Sequence, residues 1–192
     1  SSFYPALVAK SFIDLPNLDD IILRGLQRLL KFQHSDGGWG WWTFDKSDLF
    51  MTSYVLEGLY YTKQLGFFVP EKVITDGLEY LKNQKLNGYA AFILNLYGEK
   101  NIDFKASSVI DYVYTDPDKI REIATIGKDS AYIKSIPSNR FYTSIHLTSV
   151  AVRTLTRYNK YLDLRDKMVN YLLNNKKGPF WYSTKDTALA IL

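Results

Sequence analysis

Gln33-His34-Ser35-Asp36-Gly37-Gly38-Trp39-Gly40-Trp41-Trp42 sets an amide, a turn and an aromatic in a fixed order, and that order recurs where one helical pattern stops and the next begins. Leu30-x-x-Gln33 is followed six residues on by Trp39, Leu81-x-x-Gln84 five on by Tyr89, and Leu172-x-x-Asn175 six on by Trp181. Each copy has a glycine before its aromatic. A weaker copy runs from Ile133 and Ile136 to Phe141, with Pro137 and Asn139 in its turn and no glycine. The copies lie roughly forty to fifty residues apart, the length of two helices and their turns, which is the signature of a helical-hairpin repeat.

Working outward, Leu18, Ile21, Ile22, Leu26, Leu29 and Leu30 share one helical stripe, and Asn17 followed by Asp20 supplies an N-cap and a first-turn charge. A helix is expected over 18–33. Ser47 is expected to cap the next helix, where Met51, Tyr54, Val55, Leu59 and Thr62 form one face. Leu49, Phe50 and Leu56 make the other side apolar too, so this helix should be buried nearly all round. Gly66 stops it, and Pro70 stands where a further helix begins, through Val73, Ile74, Leu78 and Leu81. Tyr89 to Tyr97 is almost wholly apolar and ends at Gly98.

The pattern weakens between Asn101 and Ser138, where Pro117 opens a short helix through Ile120 and Ile123 and Pro137 closes the segment. Helices follow over 142–158 and 161–173. Ser183-Thr184-Lys185-Asp186 reads as a carboxylate capping box before Thr187 and an apolar run to Leu192. That run stops while still apolar, so Leu189, Ile191 and Leu192 are expected to pack on a further helix or a neighbouring domain, or to drive association. No strand alternation competes. The expected fold is all-α, an α/α toroid of helical hairpins, incomplete at this end. Its inner helices fall near 47–64, 89–97, 142–157 and 184–192.

Composition narrows the function. With 192 residues, 46% hydrophobic and 23% charged, the chain can bury one sizeable core, and we read 1–192 as a single domain of a larger protein. The net charge of +4 comes from interspersed cations such as Lys31, Lys46, Lys63 and Lys82, with no like-charged block to track a phosphate backbone, so no nucleic-acid partner is expected. Cysteine is absent, which excludes disulfides, thiolate metal sites and a cysteine nucleophile within these residues. No apolar run reaches the roughly eighteen residues of a membrane span, so no direct membrane insertion is expected.

Residues then point to a family. Gln33-x-x-Asp36-Gly37-Gly38-Trp39-Gly40 resembles the turn motif shared by terpene cyclases, protein prenyltransferase β subunits and the thioester domains of α2-macroglobulin and complement proteins. Its continuation, Trp41-Trp42 with Asp45, Asp48 and Met51-Thr52-Ser53-Tyr54-Val55-Leu56-Glu57-Gly58-Leu59, resembles bacterial α2-macroglobulins closely. Trp181-Tyr182-Ser183-Thr184-Lys185-Asp186-Thr187-Ala188 is similar to that family's late Trp-x-Ser-Thr-Gln-Asp-Thr-Ala motif, with Lys185 departing from Gln. Ser1-Ser2-Phe3-Tyr4-Pro5-Ala6-Leu7 resembles the residues that follow the Cys-x-Glu-Gln thioester motif.

The resemblance implies a scaffold region of a secreted or periplasmic protein that entraps proteases after they cleave a bait region, with or without covalent capture, in bacterial defence. Its implied partners are the other domains of the parent chain and, through the parent, target proteases. The implied location is the periplasm or the cell surface, with lipid anchoring through the parent as one route. Some complement members also use a histidine in this turn to form an acyl-imidazole. Residues 39–48 contain none, and His34, just before the turn, does not match that position.

On chemistry alone, no catalytic residue, cofactor or metal site is expected. Gln33, Asp36, Gly37, Gly38, Trp39, Trp41, Trp42, Trp181, Ser183, Thr184, Asp186 and Thr187 are read as structural motif residues. The three clustered tryptophans should seal the end of a helix pair rather than form a ligand platform. Asp36 should bond nearby backbone amides while Gly37 and Gly38 supply positive φ. His146 lacks an accompanying serine or cysteine motif and reads as a helical polar contact. Asp45 and Asp48 suit helix capping.

The competing class is a carbohydrate-active or terpenoid-type toroid enzyme. Asn17-Leu18-Asp19-Asp20 and Asp116-Pro117-Asp118-Lys119 do not match the acidic Asp-x-Asp-Asp motif of a terpene cyclase, and a prenyltransferase would bring a zinc cysteine. A glycosidase needs two convergent carboxylates, which sequence alone leaves open.

Overall fold

Helices account for nearly all the regular structure in the computed structural model, which describes residues 3–13, 15–137, 142–178, 180, 181 and 183–191, without the side chains of 184, 185, 188 and 189. The chain divides into two compact units, residues 1–104 and 105–192.

The first unit holds α1 (Phe3–Lys10), α2 (Leu18–Lys31), α3 (Leu49–Gln64), α4 (Glu71–Lys82) and α5 (Gly88–Leu96). α2 and α4 bury one stripe each: Leu18, Ile22 and Leu26 on α2, and Ile74, Gly77, Leu78 and Leu81 on α4. α5 buries every residue from Gly88 to Leu94, and α3 buries Thr52, Ser53, Val55 to Leu59 and Thr62. Each fully buried Leu or Ile there contributes about 1.5–3 kcal/mol of transfer free energy. α5 is enclosed as the apolar spacing predicts, whereas α3, expected to be buried nearly all round, leaves Phe50 and Tyr54 exposed.

α3 carries polar groups into this core, and each finds a partner close by. Ser53 Oγ donates to Leu49 O at 2.8 Å, and Thr62 Oγ1 donates to Gly58 O at 2.7 Å. Tyr89 of α5 donates its hydroxyl to Glu57 Oε2 at 2.5 Å, so the buried carboxylate also joins the two helices.

α1 was not apparent in the sequence. It packs on α2 and α3 through the ring of Phe3, which fills the space a side chain would take at two glycines. A Cβ on Gly25 of α2 would lie 2.5 Å from Phe3 Cδ2, and one on Gly58 of α3 would lie 3.0 Å from Phe3 Cε1.

Helix ends differ from expectation at two places. Asn17 occupies the N-cap of α2 but makes no side-chain cap bond, because its backbone is already helical (φ −101°, ψ −1°) and turns the side chain from the first amides. Ser47 does not cap α3: extended Asp48 does, accepting from Met51 N at 2.9 Å. Gly66 (φ 85°) ends that helix as expected, with Phe67 N donating to Thr62 O and Gly66 N to Lys63 O.

The second unit holds α6 (Val109–Thr115), α7 (Pro117–Ile123), β1 (Thr125–Ile126), β2 (Ala131–Tyr132), α8 (Ser144–Tyr158), α9 (Leu162–Asn174) and α10 (Thr184–Ile191). The strands pair antiparallel, Thr125 opposite Tyr132 and Ile126 opposite Ala131, and are too short to show the alternation that marks a strand in sequence. α6 is opened by a complete capping box between Ser108 and Asp111.

α8 packs on α6, α7, α9 and α10 and buries Ile145 to Ala151, Thr154 and Leu155. Its expected inner character therefore holds within this unit. For α10 the described residues show Asp186 buried and Ile191 exposed, while Leu192 and the side chain of Leu189 lie outside them.

Candidate functional site

Two hairpin turns carry the motif residues, and each uses its tryptophan in the same way. Trp39 is 1% exposed. Its indole N–H donates to Leu29 O at the end of α2 at 2.9 Å, and its backbone N–H donates to Thr52 Oγ1 of α3, also at 2.9 Å. A Cβ on Gly77 of α4 would lie 2.9 Å from the ring, so three helices meet on this residue.

Trp181 repeats the device in the second unit. Its indole donates to Leu172 O of α9 at 2.7 Å, and its backbone N–H donates to Thr187 Oγ1 of α10 at 3.0 Å. Leu172, Ile145 and Trp181 form a small core with Val152, Tyr171 and Ala190 against it. In the weaker copy a threonine of α8 takes the amide of Ile133, at the start of the copy (Ile133 N to Thr148 Oγ1, 3.0 Å), while Asn139 and the aromatic Phe141 lie outside the described residues. Tyr89 departs from the pattern, since it already lies within α5 and uses its hydroxyl on Glu57.

Around Trp39 the turn is closed by side chains. Gln33 Nε2 donates to Gly37 O and to Val73 O of α4, each at 2.9 Å, which ties the end of α2 to α4. Asp36 Oδ1 accepts from Gly38 N at 3.0 Å, as its turn role requires, and from Ser47 Oγ at 2.7 Å. Gly37 has the expected positive φ of 86°. Gly38 does not. It is needed for close approach, because a Cβ there would lie 2.6 Å from Ser47 Cβ.

Trp41 and Trp42 do not seal the hairpin. They are 64% and 65% exposed, because Asp45 Oδ2 accepts both their backbone amides and turns the loop outward. Asp45 is thus a loop brace and not a helix cap. Trp41 stacks on Phe50, Phe50 on Tyr54, and Tyr54 on Tyr4 of α1, with ring centroids 6.3, 6.2 and 5.0 Å apart. Trp42 stacks on Phe44. A row of rings therefore leads from α1 to the exposed loop. Burial and then the charge of Glu57 push the Tyr54 hydroxyl up to about 12. Tyr80 donates to Ser47 O at 2.8 Å and is also raised, by burial first and then by Asp36 and Asp48.

His34 enters this turn although sequence placed it just outside. The chain reversal at Gly37 brings its ring to Ser47 Oγ (Nδ1, 3.0 Å) and Trp42 O (Nε2, 3.2 Å). Ser47 already lies 2.7 Å from the carboxylate of Asp36, an acceptor for its one proton, so His34 is not placed as a base for that hydroxyl.

In the second unit, Asp186 is 1% exposed and Oδ1 accepts from Thr143 Oγ1 at 2.9 Å, while Thr143 caps α8 through His146 N at 3.0 Å. Only one limb of the expected capping box of α10 forms, Asp186 N to Ser183 Oγ at 3.0 Å, because the Asp186 carboxylate is turned to Thr143. Thr184 is the first residue of α10. His146 is buried, with its ring edge-on to Tyr142 at 5.3 Å. Tyr182 lies outside the described residues. Among the described residues no group of three or more metal-ligating side chains converges, and no helix is long and apolar enough to cross a membrane.

The chain is similar to known proteins in sequence and in fold. The A-macroglobulin TED domain family matches residues 16–96. The chain is 40% identical over its whole length to the alpha-2-macroglobulin of Thermotoga maritima, of which it spans 13%. Its fold is similar to native Escherichia coli alpha-2-macroglobulin from domain MG7 to the C-terminus, with a TM-score of 0.69 and 16% identity over 98% of this chain and 38% of that one. Salmonella alpha-2-macroglobulin reacted with methylamine gives a TM-score of 0.68 and 16% identity, covering 98% of this chain and 16% of that one.

Proposed function

This chain is the thioester-domain region of an α2-macroglobulin, and from that premise we propose that it serves as the scaffold of conformational protease entrapment in an extracytoplasmic parent protein. The 40% identity to the Thermotoga maritima protein across the entire chain is the observation that carries this reading. In it, residues 1–192 act as one domain without turnover of their own, and a protease that cleaves a bait region elsewhere in the parent triggers the rearrangement.

Capture in this scheme is acyl transfer. A Cys-x-Glu-Gln motif directly before Ser1 would hold the Gln-derived acyl carbon as a thioester of the Cys sulfur. An amine of the protease attacks that carbon, an amide forms, and the C–S bond breaks. The amine's surplus proton leaves to solvent or to the departing sulfur. α1, the helix that follows, is fixed by the Phe3 ring against Gly25 and Gly58 and by Tyr4 on Tyr54, which supports its use as a rigid mount for the acyl group.

Entrapment is tested by mixing the full-length parent with a protease and comparing cleavage of a small peptide substrate with that of a large protein. Retained peptide cleavage with lost protein cleavage supports steric enclosure. Equal loss of both, or no loss of either, contradicts it.

A further inference from the structure

We infer that His34 is held in its turn as the doubly protonated imidazolium, and that this charge latches the exposed aromatic loop 41–45 to the end of α2. The observation is the set of atoms around the ring. Asp36 Oδ1, 2.7 Å from Ser47 Oγ, can only accept, so it takes the single proton of that hydroxyl. Ser47 Oγ is then an acceptor toward His34, and Nδ1 at 3.0 Å must be the donor. Trp42 O also can only accept, so Nε2 at 3.2 Å must donate as well. A neutral imidazole has one N–H and completes one of these bonds, whereas the imidazolium completes both.

A third observation agrees. Asp45 Oδ1 is buried with no hydrogen-bond partner, and it lies 4.0 Å from His34 Nε2. An imidazolium gives that oxygen a counter-charge. The same carboxylate holds the amides of Trp41 and Trp42 through Oδ2, so the charge on the ring bears on the whole loop that displays Trp42 and Phe44.

The elements that form this turn carry charged and titratable groups of both signs. Asp36, Asp45 and Asp48 come from the turn, Tyr80 and Asp76 from α4, and Lys31 from the end of α2. Of the nearby lysines, Lys46 is exposed and Lys72 is paired with Asp76 at 2.7 Å. Loss of one ring proton removes a bond to Ser47 or to Trp42 and the counter-charge of Asp45. Loss of the Nε2 proton leaves the loop held by Asp45, and loss of the Nδ1 proton frees Ser47 Oγ; in either case Asp45 loses its counter-charge, so the latch is closed on the acid side and weakened on the alkaline side.

Long-range 1H–15N correlation on this chain reads the proton on each nitrogen of His34, and amide spectra read the loop. The expected result is one position for the Trp41, Trp42 and Asp45 amides while both nitrogens are protonated, and a shift of all three with the same midpoint as the ring when one proton leaves. In His34→Gln the pH response of those amides is lost. A ring that carries one proton wherever the chain is folded would overturn the inference. Deprotonation without an amide shift, or an unchanged pH response in His34→Gln, would do the same. The ring measurement stands on the wild-type chain even if the variant does not fold.

Discussion

The indole of Trp39 donates to the carbonyl of Leu29 at 2.9 Å, and the indole of Trp181 does the same to Leu172 at 2.7 Å. In both hairpins the indole is a second donor to a last-turn carbonyl that already accepts the C-cap amide, Phe32 N on Leu29 O and Asn175 N on Leu172 O, and the backbone amide of the tryptophan takes a threonine hydroxyl from the next helix. The repeat in the sequence is thus a repeated joint between helices. Its ring and threonine belong together because the turn supplies the one and the following helix the other.

Trp39→Phe keeps most of the buried ring and deletes the donor to Leu29. The expected loss is about 1–3 kcal/mol of unfolding free energy from the lost indole hydrogen bond and the smaller ring, although Leu29 O keeps its bond from Phe32 N. Trp41→Ala and Trp42→Ala, at exposed positions, should each cost less than about 1 kcal/mol. Denaturant unfolding of the three variants measures the contrast, and equal losses would contradict the division of roles.

Gly77→Ala places a methyl against the Trp39 ring and Leu56, at 2.9 and 3.0 Å. Overpacking of this kind costs about 1–3 kcal/mol. The cost should shrink in a Trp39→Leu background, where the ring that the methyl meets is gone. A double-mutant cycle by thermal unfolding reads that coupling.

Thr143→Ala removes both the cap of α8 and the donor to the buried carboxylate of Asp186. A loss of about 1–3 kcal/mol is expected, larger than for an exposed cap. Thr143→Ser, which keeps the hydroxyl, should recover most of it in the same unfolding assay.

Alkaline titration tests the ring row beside α1. Tyr54 is pushed to about 12 by burial and then by Glu57, above its ordinary value of 10.0. The unfolded chain therefore gives up this proton first, and stability falls as pH rises between those values; below the lower one the contribution is fully present. Tyrosinate absorbance should show a late-titrating group that Tyr54→Phe removes.

The helices that alternate between one wet face and none were legible because burial writes its period directly into the side chains. Leu18 to Leu30 and Tyr89 to Tyr97 are plain examples. α6 was missed because it is short, although Ser108 and Asp111 carried its capping box, and β1 and β2 were missed because two residues hold no period. The site was legible at Gln33, Asp36 and Trp39, whose partners are local or in the adjoining helices. It was not legible at Trp41, Trp42 and His34. Their places depend on where Asp45 turns the loop and on how Gly37 folds residue 34 back against Ser47, which are three-dimensional facts with no fixed spacing.

Methylamine treatment of the full-length parent, first shown to be folded and unmodified, tests the central functional proposal most directly. The amine attacks an intact thioester at its acyl carbon and frees the cysteine. Uptake of one amine with release of one thiol is predicted, the amine located by mass spectrometry on the peptide just before Ser1. Neither event in that folded, unmodified protein would contradict covalent capture.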